Sequence, residues 1–366
     1  MRVVYLADAP YIHTRRWVEY FAAAGWDTHV VSFRPAEITG AAVHYVDGFE
    51  RIGRARYLVH AARVRRIVRE LRPDILHAMH LTSYGFLAAL CDIHPLLTSV
   101  WGTDILEAPA WTPLHKRLTR FALKRADHVT ATGLALASAT LRYMPEREQV
   151  TVVPFGVDLE RFSATERQPR DQQTVIGTVS RLSMEKGLDV LLKASALVIS
   201  DHPDIKVVIA GDGPERAKLG RLTRDLDIEA NVTFLGEIPH EGVPSALATF
   251  DVFAMPSRAE GFGVAAIEAA AMGIPVVGSD VHGIPDVVDH NETGLLVPPG
   301  DEQALARAIA RLADDVRLRK TMGDNALALV TERYDWRENT AQMERIYNDM
   351  VRTFTEHTTR ATVTES

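Results

Sequence analysis

The sequence predicts an α/β protein made of two doubly wound parallel sheets, and three observations predict it. Short apolar runs of strand length alternate with helix-length segments along nearly the whole chain, the pattern of βαβ units whose sheets are covered on both faces. A polar run, residues 163–173 (SATERQPRDQQ), interrupts the alternation once, and the pattern then restarts. Charge changes across that run: residues 1–165 carry 20 Lys and Arg against 16 Asp and Glu, whereas residues 166–366 carry 21 against 32. At 366 residues the chain has the length of two domains. The expected division is 1–165 and 166–335, followed by a last helix over 336–353 and a disordered tail over 354–366.

Each element follows from local signals. A buried strand from Val3 to Ala7 leads into a helix over 14–24 that stops at Gly25, a residue suited to a helix C-terminus. A strand over 28–32, an Arg-rich helix over 54–71 and a strand over 74–77, entered through Pro73, come next. Residues 84–91 read as helix, 97–100 as strand, 113–126 as helix, 128–131 as strand, 134–143 as helix and 150–153 as the closing strand. In the second series, strands over 174–179, 206–210, 232–235, 252–255 and 275–278 alternate with helices over 188–200, 214–226, 242–248 and 264–272, and a helix over 302–314 follows.

Composition removes several function classes. No apolar run reaches the length of a membrane span, and the opening MRVVYLADAP lacks the apolar core and small-residue cleavage site of a secretion signal, so a cytoplasmic protein is expected. Cys91 is the single cysteine, which excludes an intrachain disulfide and a cysteine-cluster metal site. The net charge is −7, and the basic half has no aromatic-interleaved platform, so nucleic acid is not the expected partner.

Parallel α/β sheets bind ligands beyond the carboxyl ends of their strands, and unusual residues gather there in the second half. Strand 174–179 runs into Ser180-Arg181-Leu182-Ser183-Met184-Glu185-Lys186-Gly187. Arg181 and Lys186, just before a helix start, are placed to hold one anion; the alternative is two solvated surface charges. Strand 206–210 ends in Gly211-Asp212-Gly213-Pro214, where glycines let the backbone approach a ligand or simply turn the chain. Strand 252–255 stops at Pro256 before Ser257-Arg258-Ala259-Glu260-Gly261-Phe262-Gly263-Val264, a glycine-bearing entry to an apolar helix and hence a phosphate cradle. Glu268 interrupts that helix (AAIEAAAM), where a carboxylate needs a partner, supplied either by a hydroxyl-rich ligand or by the protein. The only Asp-x-Asp, Asp225 to Asp227, falls on a likely helix rather than a strand end.

The spacing of Glu260 and Glu268, behind SRAEGFG and before AMGIPVV, resembles the retaining nucleotide-sugar glycosyltransferases of family 4, the EX7E-type group 1 enzymes with the GT-B fold. RLSMEKGLDVLLKA, IAGDGPE, VTFLGEIP, VHGIPDVV, NETGLLVPPGD and FGVDLERF follow that family's pattern in its order. The resemblance implies two Rossmann-like domains facing a cleft, with the last helix crossing back to the first. It implies that Arg181 and Lys186 hold the donor diphosphate, Glu260 the transferred sugar and Glu268 the ribose. The backbone of Phe262, Gly263 and Val264 would take the distal phosphate, and the stretch from Leu235 to Ile238 the nucleobase, with Gly211 beside them. The first domain would bind the acceptor, a glycan or lipid-linked intermediate. No cofactor or metal is expected, since the nucleotide sugar is the substrate.

The chain departs from the family pattern in the first domain. In place of a Gly-Gly loop stands Asp8-Ala9-Pro10-Tyr11-Ile12-His13-Thr14, so His13 and Thr14 either face the diphosphate or acceptor, or pack and cap the helix. Trp101 replaces a histidine that many members carry before Gly-x-Asp, and Asp104 either stays in the cleft or caps a turn. His77 and His80 make a poor metal site and are better suited to acceptor binding. Arg-rich 51–72 and the run KRLTRFALKR at 116–125 suggest peripheral contact with an anionic membrane, or a solvated face. The rival functions are a nucleotide-sugar epimerase of the same fold and a catalytically inactive sugar-nucleotide-binding subunit.

Overall fold

A computed structural model describes residues 1–47, 56–144, 146, 149–163 and 173–364. The chain forms two units: residues 1–155 with 338–366, and residues 156–337. The first is built on seven parallel strands: β1 (Arg2–Leu6), β2 (Asp27–Ser32), β3 (Ala42–Tyr45), β4 (Ile75–Met79), β5 (Leu96–Val100), β6 (His128–Ala131) and β7 (Thr151–Val152). Their order is β3-β2-β1-β4-β5-β6-β7. In β1, Val4 pairs with His29 on one side and Leu76 on the other. β4 and β5 are buried along their whole length, which explains their unbroken apolar reading.

The second unit has six parallel strands: β8 (Val175–Val179), β9 (Lys206–Ala210), β10 (Val232–Gly236), β11 (Val252–Met255), β12 (Val276–Ser279) and β13 (Gly294–Val297), in the order β10-β9-β8-β11-β12-β13. In each sheet the order reverses once, between β1 and β4 and between β8 and β11. At such a point the connections leave in opposite directions and open a crevice at the carboxyl ends. The loops after β8 and β11 are the two that carry Arg181, Lys186 and Glu260.

Helix ends follow their capping chemistry. The Thr112 hydroxyl accepts from the His115 N–H at 3.2 Å to start helix Pro113–Arg125. Asp301 accepts from Ala304 N–H at 2.8 Å and Asp315 from Leu318 N–H at 2.9 Å, starting helices Glu302–Asp314 and Val316–Arg333.

Several expectations are corrected. The division between units falls after Phe155, not at 165. Val157 N–H bonds the Tyr334 carbonyl at 2.8 Å and the Trp336 N–H bonds the Val157 carbonyl at 3.0 Å, so the residues before the polar run are zipped to the end of the second unit. Most of that run, 164–172, lies outside the described residues. The expected disordered tail is instead helical: the last helix spans Trp336–Thr364. Residues 354–364 contain no Gly or Pro, and extending an already nucleated helix costs little. The Arg-rich segment is two helices, Arg56–Val59 and Ala61–Leu71, broken at His60; Arg51 and Arg54 lie outside the described residues. The structure also adds β3, a short edge strand only partly buried, whose apolar alternation is correspondingly weak.

Candidate active site

The crevice of the second unit is assembled by backbone fit. Gly187, at φ +64°, starts helix Leu188–Asp201, and a Cβ there would lie 2.0 Å from the Pro256 carbonyl oxygen. The loops after β8 and β11 therefore touch at a position only glycine fills. Arg258 staples the same two loops. Its guanidinium donates to both Asp189 carboxylate oxygens at 2.8 and 2.7 Å and to the Met184 carbonyl at 2.8 Å, and its N–H bonds the Glu185 carbonyl at 2.7 Å. The hydrogen bond from Arg258 holds the Asp189 carboxyl below its usual range against the opposing effect of burial.

That staple brings Lys186 to Glu260. Lys186 Nζ donates to Glu260 Oε2 at 2.8 Å, with the two side chains 25% and 14% exposed. Arg181 is exposed; its carbonyl accepts from Ser183 N–H at 3.0 Å, and its side chain makes no hydrogen bond or ion pair among the described residues. Between the two cations, Glu185 accepts from the Ser183 hydroxyl at 2.6 Å. Burial pushes its carboxyl upward, but the Ser183 bond, its own N–H, Lys186 and Arg181 together hold it below the usual value, so it stays ionised beside them.

Gly263, at φ +97°, precedes helix Val264–Ala271. The first N–H groups of the helix have no acceptor within it, and its dipole adds positive potential there. Glu268 stands one turn after Val264 on the same side of the helix and is 6% exposed. Phe262 is buried edge-on against Tyr334, ring centroids 5.4 Å apart. Leu235 and Ile238 lie at the end of the outermost strand, β10, which bonds the loop after β9 through Gly211 N–H to the Gly236 carbonyl at 2.7 Å.

Gly211 has a packing task. At φ +131°, its missing Cβ would meet the Ser180 carbonyl oxygen at 1.9 Å, and that of Gly213 would meet the Leu182 carbonyl at 2.4 Å. These glycines admit the close approach of the Arg181 loop. Gly187, Arg258 and Asp189 had no assigned role in the sequence. A Lys-Gly step before a helix and an arginine beside the Glu-Gly loop were the available signals.

In the first unit, the loop after β1 meets the loop after β5. The His13 ring stacks on Phe155 with centroids 4.0 Å apart and planes at 14°, and Trp101 stands edge-on to Phe155 at 5.3 Å. Exposed Tyr11 lies 5.8 Å from Trp101 and 5.2 Å from His13. Thr14 is corrected: it is fully buried inside helix Ile12–Ala23, which starts after Tyr11, so its side chain neither caps that helix nor reaches a ligand. Asp104 is also corrected. It is fully buried, with Oδ2 accepting Leu81 N–H at 2.8 Å and Oδ1 accepting Gly102 N–H at 2.7 Å and Trp101 N–H at 3.2 Å. It positions Trp101 by tying the loops after β4 and β5.

His77 likewise turns inward. Its Nδ1 pairs with the Tyr347 hydroxyl at 2.6 Å and its Nε2 with Ser99 Oγ at 2.7 Å, and burial pulls its pKa down to about 3. His80 sits at φ +79° with Nδ1 2.9 Å from Ser83 Oγ.

Two family profiles match the chain: glycosyl transferases group 1 over residues 161–328, and glycosyl transferase 4-like over residues 2–133. The chain is 29% identical over 307 residues to N-acetyl-alpha-D-glucosaminyl L-malate synthase of Bacillus anthracis, covering 81% of this chain and 80% of that one. It is 36% identical over 242 residues to D-inositol 3-phosphate glycosyltransferase of Corynebacterium kroppenstedtii, a match that spans 61% of this chain and about half, 53%, of that relative. Among solved structures, HepE (Alr3699) of Anabaena, crystallised with UDP and glucose, superposes with a TM-score of 0.81 at 22% identity over 95% of this chain and 99% of its own. That likeness establishes the two-sheet fold as the GT-B architecture.

Proposed function

The chain belongs to the group 1, family 4-type glycosyltransferases, and from that premise we propose that it transfers a sugar from a nucleotide-diphosphate sugar to a hydroxyl acceptor with retention of configuration. The observation that carries this reading is the junction of the loops after β8 and β11, where Lys186, Glu260 and exposed Arg181 stand at the entry to a glycine-led helix. Negative charge develops on the leaving diphosphate as the glycosidic bond breaks. Two cations and a helix N-terminus stabilise that charge without needing a metal. Among the described residues no group of three or more His, Cys, Asp or Glu side chains is arranged to hold one.

The acceptor oxygen bonds to the anomeric carbon on the face the leaving group vacates. The acceptor proton passes to the departing phosphate oxygen, so no separate base is required. Glu260, held by Lys186, orients the sugar hydroxyls. Glu268 binds the ribose, and the ends of β9 and β10 hold the base. The first unit receives the acceptor, with Tyr11, His13 and Trp101 offering ring faces to a sugar. Neither an epimerase nor an inactive binding subunit accounts for this set as well. The protein acts in the cytoplasm and touches an anionic membrane through its first unit; among the described residues no helix is long and apolar enough to cross a membrane.

The test pairs ligand discovery with mutation. A thermal-shift panel of nucleotides and nucleotide sugars identifies the donor, since a ligand bound only by the folded state raises the Tm. With that donor, Lys186→Ala and Arg181→Ala each lower kcat/KM by about 10²-fold or more, and wild-type transfer persists in excess EDTA. Wild-type turnover in both variants removes the anion-site assignment. Loss of activity in EDTA, restored by Mg²⁺ or Mn²⁺, overturns the metal-free mechanism.

A further inference from the structure

Helix Ala61–Leu71 of the first unit buries Val64 and Val68 and turns an arginine stripe outward. Ala62, Arg65, Arg66, Arg69, Glu70 and Arg72 line a surface cavity of about 520 Å³. Four guanidinium groups thus border the same cavity as one carboxylate, over about 10 Å of the helix and its C-terminal end. None of the four makes a side-chain hydrogen bond or ion pair among the described residues, whereas Arg2, Arg15, Arg34 and Arg125 of the same unit are each paired with an acid. Arg65 Nε is buried without a hydrogen-bond partner among the described residues, although a guanidinium N–H is costly to leave unbonded.

The spacing makes the cost specific. Arg65 and Arg69 are four apart, and Arg66 and Arg69, like Arg69 and Arg72, are three apart. These are the separations at which like charges on a helix repel. The helix dipole favours Arg69 and Arg72 at the C-terminal turn, but it offers little to Arg65 or Arg66, about one turn earlier than Arg69. A cavity bordered by planar, unpaired forks matches a tetrahedral oxyanion with several oxygens, which arginine binds in bidentate fashion.

We propose that Arg65, Arg66, Arg69 and Arg72 form a binding site for a phosphate-bearing ligand, distinct from the phosphate cradle of the second unit. The ligand is a multiply charged phosphate group, either free in solution or carried as a lipid headgroup. The site does not depend on the glycosyltransferase reading, because none of its residues belongs to the donor machinery.

Calorimetric titration of the full chain with inorganic pyrophosphate tests it. The parent is Arg181→Ala/Lys186→Ala, so that the cradle of the second unit does not contribute. This parent binds one pyrophosphate saturably, and the affinity falls with added salt. Adding Arg66→Gln and Arg69→Gln, both exposed and free to change without unfolding the chain, weakens binding at least about tenfold at unchanged Tm, the scale of one lost charged hydrogen bond or more. Arg65→Lys, which keeps the charge and loses the fork, weakens it severalfold. Vesicles of phosphatidylcholine with phosphatidic acid that displace pyrophosphate, where pure phosphatidylcholine does not, identify a headgroup as the source. Displacement by neither supports a soluble phosphate. Absence of saturable binding in the parent, or unchanged affinity in Arg66→Gln/Arg69→Gln, overturns the site.

Discussion

Lys186 and Glu260 meet at 2.8 Å from opposite sides of the crevice, although 74 residues separate them in sequence. Their pairing gives Glu260 a fixed direction before any ligand arrives, while Glu268, one turn into the helix, is held mostly out of water. The two glutamates therefore separate by function in one experiment. Glu268→Gln weakens binding of the free nucleotide diphosphate and the full donor alike, by the equivalent of about 1.5–3 kcal/mol for a charged hydrogen bond. Glu260→Gln leaves nucleotide diphosphate affinity close to wild type and depresses transfer. Titration of both variants with the diphosphate, beside turnover with the full donor, makes the comparison. The opposite pattern reverses the orientation of the donor, and no change in either variant makes the pair structural.

Elements are docked by polar as well as apolar contacts. The last helix, Trp336–Thr364, places Tyr347 in the core of the first unit, where its hydroxyl meets His77 Nδ1 at 2.6 Å and Tyr5 at 3.4 Å. The relay continues from His77 to Ser99 and from Ser99 Oγ to Thr130 Oγ1 at 2.7 Å, so one buried chain of hydrogen bonds links the helix to β4, β5 and β6. Tyr347→Phe keeps the ring and strands a buried imidazole nitrogen, with an expected loss of about 1–3 kcal/mol. Chemical denaturation of both forms measures it; equal stability removes the relay as a docking device. Acid acts on the same group. His77 stays neutral in the folded chain to about pH 3, while its ordinary value is 6.5. The unfolded chain therefore binds the extra proton, and the contribution of His77, complete above pH 6.5, declines as pH falls from 6.5 toward 3.

Across the whole molecule the net charge of −7 hides a basic first half, +4 over residues 1–165. On helix Pro113–Arg125, Leu114 and Phe121 are 60% and 40% exposed, two turns apart and interleaved with Lys116, Arg117, Arg120 and Lys124, and Trp111, just before its Thr112 cap, is 45% exposed. An exposed aromatic and aliphatic stripe flanked by cations is the composition of an interfacial helix. Each basic residue near an anionic surface contributes on the order of 1 kcal/mol, screened by salt. The expected outcome is co-sedimentation with anionic vesicles at low salt, reduced at high salt and reduced again in Trp111→Ala/Phe121→Ala. Equal recovery with neutral and anionic vesicles at both salt concentrations would show that this face is simply solvated.

The sequence by itself determined the alternation of strands and helices, the two-sheet architecture and the two loops that carry the candidate chemistry. Those features rest on local properties: apolar runs, glycines before helices and charges at strand ends. Three-dimensional packing decided which side chains reach a surface. Thr14 and Asp104 read as site residues, yet both are fully buried, Thr14 inside its helix and Asp104 between the loops after β4 and β5. The need for glycine at 211 comes from a neighbour on the adjacent strand, because the space of a Cβ there is taken by the Ser180 carbonyl. The Arg258–Asp189 staple and the Tyr347–His77 bond join residues 69 and 270 positions apart. Such contacts depend on strand order and on where each crossover lands, which the hydrophobic period of a segment does not encode; only the folded chain brings those partners together.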